Sequence, residues 1–177
     1  TTSSGIYRTD FLAADVEVTL DFAFTEATDS TAFYINLRDD RNGNFVSLTI
    51  LVDGRTYVAT YNSTEGLKNK LSESYPAWTT GDVGQVTFSI LGTIFRYQII
   101  RGTRTDKGQG SFVDGDFLPI PPGTIALSIS DPDSVFRQVM VDNIVLQDIA
   151  ATAWKPVVNV EKMQVSPVYS DQPHNTQ

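Results

Sequence analysis

Few side chains in this sequence could do acid–base chemistry. The only histidine, His174, lies in a polar C-terminal stretch, which is typical of a solvated tail residue rather than of a catalytic base. Cysteine is absent, which excludes a thiolate nucleophile and a cysteine zinc site. Acid–base work would therefore fall to carboxylates or tyrosines. Asp15, Glu17 and Asp21 share one face of a predicted strand, and we interpret that face as solvated.

Aromatic and amide side chains are the second group of residues that could have a function, in this case by binding a ligand. A glycan site needs a flat aromatic ring against the apolar face of a sugar, with amides or carboxylates for the hydroxyl groups. Loops and an outward strand face supply such groups, and the candidate carbohydrate-binding residues are Tyr57, Tyr61, Tyr75 and Trp78, with Asn62 beside them. Packing of the same rings over the edge of a core is the alternative interpretation.

A cluster of oxygen-bearing side chains, Asp39, Asp40, Asn42 and Asn44, surrounds Gly43. Calcium takes about six to eight oxygen ligands, so these residues are a candidate calcium site, and calcium is the one cofactor that we consider. No bidentate glutamate follows, and turn preference explains the same residues. We favour the turn.

A glycosylation sequon also occurs, because Asn62 is followed by Ser63 and Thr64. We expect it on a surface loop, where Asn62 would be an acceptor if the source glycosylates exported proteins.

Alternating apolar and polar side chains predict the strands. In Asp15 to Phe24, the valines, leucine and phenylalanines share one face and the acidic residues share the other, which indicates one buried and one solvated face. Ala32 to Tyr61 is predicted to form three antiparallel strands, because Asn42-Gly43 and Asp53-Gly54 are typical hairpin turns.

Further strands are predicted in the second half of the chain, at residues 85–91, 94–101, 124–130 and 137–147. Between the strands, Glu65 to Ser72 could form a helical turn or two, and Arg101 to Gly110 is predicted to be a polar loop. Many short strands with Gly, Asn and Asp turns predict an all-β fold, an antiparallel two-sheet β-sandwich. A barrel is the lesser alternative.

Composition bounds the class of protein. The 177 residues suit one domain, and 41% hydrophobic residues are ordinary for a folded chain. The net charge of −8 disfavours nucleic acids and anionic membrane surfaces as partners, and no apolar run is long enough for membrane insertion. Because the chain begins at Thr1, we interpret it as the mature part of an exported precursor, placed extracellularly or on a cell or virion surface.

The chain divides into a predicted sandwich domain, residues 1–148, and an extended C-terminal tail, residues 149–177. Prolines bar a long helix from the tail. Apolar residues nevertheless recur there, and we predict that they make assembly contacts: Val157, Val158, Val160, Met163 and Val165. Such a segment can dock on its own domain or donate a strand to another copy of the chain.

Four stretches resemble one superfamily when taken in series. These are DVEVTLDF from Asp15, FYINLRD from Phe33, NGNFVSL from Asn42 and VDNIVL from Val141. They resemble the concanavalin A-like jelly roll, especially its laminin G-like and thrombospondin N-terminal-like branches. The resemblance covers about residues 5–148 and implies two curved sheets. Members serve as lectins, adhesion modules, matrix domains, glycanases or polysaccharide lyases.

The catalytic branches of that superfamily carry motifs that this chain lacks. A glycanase would need a Glu-x-Asp-x-x-Glu strand, but in DVEVTLD, from Asp15 to Asp21, Thr19 interrupts the spacing. An alginate lyase-like enzyme would need an Arg-Glu-Arg strand and a Gln-x-His segment, and only the tyrosine strand from Tyr57 to Asn62 resembles it. The sequence therefore predicts that this protein is not an enzyme.

Three functions follow, in order of preference. The first is a non-catalytic exported sandwich in adhesion or surface structure, a filament or appendage subunit that assembles with copies of itself through its termini. The second is a lectin-like module that binds glycans or matrix polymers. A polysaccharide-active enzyme comes last.

Overall fold

A computed structural model of the chain describes residues 2–25, 31–112, 122–131, 139–150 and 157–158. These residues form strands and connecting loops. The strands, in chain order, are β1 (Thr2–Tyr7), β2 (Val16–Phe24), β3 (Ala32–Asp39), β4 (Phe45–Leu51), β5 (Arg55–Asn62), β6 (Gly66–Ser74), β7 (Val83–Leu91), β8 (Ile94–Arg101), β9 (Arg104–Ser111), β10 (Thr124–Asp131), β11 (Val139–Asp148) and β12 (Val157–Val158). In this part of the chain no helix is long and apolar enough to span a bilayer.

Two six-stranded sheets make up the fold. The front sheet has the order β1-β10-β3-β4-β5-β6, and the back sheet has the order β12-β11-β2-β7-β8-β9. All of the strand pairs are antiparallel. The edge strands β6 and β9 lie beside each other, one from each sheet. The two inner faces share one hydrophobic core, so the predicted antiparallel sandwich is confirmed.

In both sheets, the apolar side chains that alternate along the predicted strands face the core. Along β2, Val18, Leu20, Phe22 and Phe24 are buried, whereas the residues that alternate with them are only partly so. In the front sheet β3, β4 and β5 form the predicted meander, and Leu48 pairs with Ile35 on one side and with Val58 on the other. These three residues have no exposed surface, which places the meander's inner face at the centre of the core.

The edge strands β6 and β9 differ from the sequence prediction. The segment expected to form a helical turn, Glu65 to Ser72, lies mostly in β6, which pairs with β5 through a turn closed by Gly66 at φ +84°. The segment expected to be a polar loop, Arg101 to Gly110, lies mostly in β9. An edge strand has one neighbouring strand and faces solvent, so it need not carry an apolar period, and both predictions were wrong for that reason.

Trp78 is a core residue. Only 5% of its surface is exposed, and its ring lies 4.9 Å from the ring of Phe22 between centroids. Gly84 leaves room for the indole, because a Cβ there would lie 2.6 Å from the Trp78 ring. The Arg101 guanidinium covers the indole at 4.0 Å and donates hydrogen bonds to the carbonyls of Pro76 and Ala77. The loop of residues 75–78 thus closes the core at this point.

The burial of Trp78 predicts a large effect on stability. We expect Trp78→Ala to lower the free energy of unfolding by about 3–5 kcal/mol, because it leaves a cavity against Phe22 and Phe24. Trp78→Phe should cost clearly less, since a ring still fills part of the space. Urea unfolding of both variants measures this, and unchanged stability in Trp78→Ala would contradict the placement.

Candidate functional site

The outer face of the front sheet carries a set of aligned aromatic and small polar residues. Strand register brings Tyr34, Thr49 and Tyr57 into one row across β3, β4 and β5. The next row contains Asn36, Ser47 and Ala59. A third row pairs Phe45 with Tyr61. We call these eight residues the tyrosine trough.

Residue size gives the tyrosine trough its shape. Tyr57 and Tyr61 are four residues apart on β5, which separates their Cα atoms by roughly 13 Å. Between them lies Ala59, with Ser47 and Asn36 beside it in the same row. These three small residues point away from the core, yet Ala59 is fully buried and Asn36 is only 8% exposed. The aromatic side chains of the first and third rows therefore flank a row of small, buried side chains.

Hydrogen-bonding groups in the tyrosine trough are uncharged. Burial raises the pKa of Tyr34 above its usual 10.0, and the nearby Tyr57 raises it further, while a hydrogen bond with Ser130 lowers it. The Tyr34 hydroxyl is therefore protonated at neutral pH. The side-chain oxygen of Asn36 is buried and accepts no hydrogen bond from the residues that the structure describes. An unpaired buried carbonyl oxygen is costly.

The third row ends against two turns. The rings of Phe45 and Tyr61 stack with their centroids 5.1 Å apart at 12°. Beyond them the β3–β4 turn meets the β5–β6 turn, where Ser63 donates its backbone N–H to the Asn44 side-chain oxygen at 3.3 Å. The Asn62 side-chain oxygen accepts the backbone N–H of Thr64 at 2.8 Å, and Ser63 and Thr64 are exposed. The sequon of Asn62 therefore lies in a surface turn, as expected.

The predicted calcium ligands lie together, but turn hydrogen bonds use their oxygens. The Asp40 carboxylate accepts the backbone N–H of Asn42 at 2.7 Å and the side-chain amide of Asn44 at 2.6 Å. The Asp39 carboxylate accepts hydrogen bonds from Arg41. Among the residues that the structure describes, no three His, Cys, Asp or Glu side chains form a metal-binding group. This geometry is that of a turn, and calcium binding stays a prediction.

The four predicted carbohydrate-binding aromatics do not form one site. Tyr57 and Tyr61 lie in the tyrosine trough. The Tyr75 hydroxyl lies 2.7 Å from the Tyr97 hydroxyl and donates to the Lys107 carbonyl, so it joins the two sheets at the β6 and β9 edges. Burial, then the hydrogen bond to Tyr75, raises the pKa of Tyr97. Trp78 is not available to a sugar because it lies in the core.

Sequence analysis missed Tyr34, Asn36 and Phe45 as site residues. Alternation in the predicted meander places Tyr34 and Asn36 opposite the core-facing Phe33 and Ile35, so the signal was present. Only the register with β4 and β5 shows that Tyr34 shares a row with Tyr57.

Comparisons with known proteins identify the fold but no close relative. No protein-family model matches the chain. No curated protein matches it either. Among solved structures, the carbohydrate-binding module CBM66 from Bacillus subtilis is similar with a TM-score of 0.59, at 12% identity over 82% of this chain and 81% of that one. The fold is the jelly-roll β-sandwich that the resemblance to concanavalin A-like proteins implies.

Two further jelly rolls are similar. The CBM2 module of the evolved Dit of Lactobacillus casei BL23 phage J-1 has a TM-score of 0.57, at 15% identity over 86% of this chain and 70% of that one. Sheep galectin-11 in complex with glycerol has a TM-score of 0.51, at 11% identity over 82% of this chain and 96% of that one. These similarities do not test the laminin G-like branch, which stays a prediction.

The β3–β4 turn predicts a pH-dependent contribution to stability. Although burial would raise the pKa of Asp40, hydrogen bonds from Asn44 and Asn42 outweigh it and hold that pKa below its usual 3.8. A depressed carboxyl pKa stabilises the fold above the unfolded value and loses that effect as the pH falls through the folded value. We expect Asp40→Ala to cost about 1 kcal/mol at neutral pH, and the difference from wild type to shrink near pH ~2. Urea unfolding at both pH values measures it, and a difference that grows on acidification would contradict it.

Proposed function

We propose that this chain is a non-catalytic carbohydrate-binding module that holds neutral glycans in the tyrosine trough. The observation that carries the proposal is the register that aligns the partly exposed Tyr34 and Tyr57 across β3, β4 and β5, beside a row of small side chains. Similarity of fold to carbohydrate-binding modules and a galectin supports it.

The chemistry of the tyrosine trough suits a sugar. Tyrosine rings offer apolar faces to the C–H groups of a pyranose or furanose, and the hydroxyl and amide groups between them exchange hydrogen bonds with sugar hydroxyls. Its eight residues are uncharged, which favours a neutral ligand. This differs from the sites for phosphates or nucleic acids, where cationic side chains dominate.

The apolar area that a sugar can bury against the rings sets the expected strength of binding. A tyrosine that buries ~100 Å² of shared apolar surface contributes about 2.5 kcal/mol at ~25 cal/mol/Å². A millimolar site needs about 4.1 kcal/mol, so one ring is insufficient. Several aromatic rings, with hydrogen bonds from the partly exposed Tyr34 and Tyr57, supply the remainder. The row of small side chains continues from β5 across β4 and β3 to Ala126 of β10, which favours a short oligosaccharide over a monosaccharide.

The carboxylates considered for catalysis lie elsewhere. Asp21 and Glu17 are on β2 in the back sheet. Asp21 accepts hydrogen bonds from Gln85 and Asn143, and Asp15 accepts one from the Gly92 backbone. No carboxylate belongs to the tyrosine trough, which supports binding without hydrolysis. A role outside the cell, where glycans are displayed, is part of the proposal.

Adhesion through self-assembly is the weaker proposal. It depends on the tail, and the predicted assembly residues Val160, Met163 and Val165 lie outside the described residues. Val157 and Val158 form β12, which pairs with Leu146 and Gln147 of the same chain. The described part of the tail therefore adds a strand to its own domain.

Electrophoresis in gels containing neutral polysaccharides, among them a galactan, a glucan and a fructan, tests the glycan proposal. We expect at least one polymer to retard the wild-type chain, and Tyr57→Ala to weaken that retardation about tenfold, because it removes an aromatic ring of the trough. Tyr57→Phe should keep most of it, since the ring remains.

Met140→Ala is the matched control, because it removes a large side chain that is 64% exposed on the back sheet. It should leave retardation unchanged. The proposal fails if no neutral polysaccharide retards the wild-type chain, or if Tyr57→Ala behaves like Met140→Ala while both variants keep the wild-type thermal midpoint.

A further inference from the structure

The outer face of the back sheet contains a separate hollow. It has a volume of about 460 Å³ and is open to solvent. Its wall residues come from β2, β8 and β9, and its floor comes from β7: Glu17, Thr87, Ser89, Arg96, Lys107 and Gln109. We call it the back groove. It shares no residue with the tyrosine trough.

Strand register explains how the back groove forms. Glu17, Ser89, Arg96 and Gln109 occupy one row across four strands. Ser89 is short, so the space between Glu17 and Arg96 is left open. These two residues are two strands apart, which separates their Cα atoms by about 9.5 Å. The groove therefore has an acidic wall on one side and a basic wall on the other.

The hairpin of β8 and β9 is a basic region in an acidic protein. Residues 94–111 include the cations Arg96, Arg101, Arg104 and Lys107 and the single acid Asp106, whereas the whole chain has a net charge of −8. Arg101 is held by backbone carbonyls, and Arg104 pairs with Asp106 at 2.8 Å. The two remaining cations are those that line the back groove.

Within the described residues, Arg96 and Lys107 have no carboxylate partner. Arg96 donates its Nε to the side-chain oxygen of Gln109 at 3.0 Å, which orients the guanidinium and leaves its terminal nitrogens available. Lys107 lies one row away, opposite Gln98. Two cations on neighbouring strands, with one guanidinium already oriented, suit an anionic group with paired oxygens.

Glu17 limits what else the ligand can be. It likewise has no ion pair among the described residues, and it faces Arg96 across Ser89. A carboxylate accepts hydrogen bonds from hydroxyl groups but repels a second anionic group. The ligand therefore carries its negative charge at one end and neutral hydroxyls at the other.

We propose that the back groove binds a sugar acid, with the carboxylate of a uronic acid residue on Arg96 and Lys107 and the sugar hydroxyls on Glu17 and Ser89. This site is independent of the tyrosine trough, which takes neutral sugars and lies on the opposite sheet. The chain thus has two sites of different charge preference on its two outer faces.

Nitrogen–proton correlation spectra of the full chain test the proposal, with galacturonate as the probe and galactose as its neutral counterpart. We expect galacturonate to shift the amide signals of β7, β8 and β9, and galactose to leave them unchanged. Arg96→Gln and Lys107→Gln should each weaken galacturonate binding about tenfold, because each removes a charge-assisted hydrogen bond. Glu17→Gln should weaken it about threefold, because a neutral amide is a poorer acceptor for hydroxyls.

Three results would overturn the proposal. The first is the absence of any shift with galacturonate, and the second is an equal response to galactose. The third is equally tight binding of acetate, which would reduce the groove to a general carboxylate site. Tyr57→Ala should leave galacturonate binding intact, so failure of the tyrosine trough and failure of the back groove are distinguishable.

Discussion

The surface of this protein depends on one constraint, the pairing of two pleated sheets over a single core. Side chains alternate along a strand, so each residue buried in the core commits its neighbours to the outer face. With Leu48 fully buried, Ser47 and Thr49 must point outward. A register slip of one residue would place Thr49 in the core and Leu48 in water. The energy that holds the core together therefore also holds the rows of the tyrosine trough.

The same constraint gives different roles to the aromatic side chains of this protein. Tyr57 lies on an outward row and is partly exposed to solvent. Trp78 comes from a loop, where strand alternation does not decide the direction of a side chain, and it packs in the core because Gly84 leaves a space beside Phe22. Tyr75 sits between these extremes and hydrogen-bonds to Tyr97 where the two sheets meet. Location relative to the sheets, rather than residue type, decides which aromatic ring can meet a ligand.

Much of the fold could be predicted from the sequence, because its central strands alternate apolar and polar side chains. β2 and the meander of β3, β4 and β5 carry this period of two in their residue types, although β3 and β4 are buried along almost their whole length. The edge strands β6 and β9 lack the period, and only pairing with β5 and β8 makes them strands. Of the proposed site, Tyr57 and Tyr61 follow from alternation, but their partners on β3 and β4 depend on register.

Charge separates the two outer faces although both are built in the same way. On the front sheet the outward residues of β3, β4 and β5 that form the trough are neutral, so shape and apolar area would govern binding at the proposed glycan site. On the back sheet Arg96, Lys107 and Glu17 face a common hollow, so the position of charge in the ligand would govern binding at that proposed site. Neither face contributes to the core. Ligand preference on each outer face can therefore change by substitution of outward residues without loss of the sandwich, because the alternate residues that stabilise the fold stay in place.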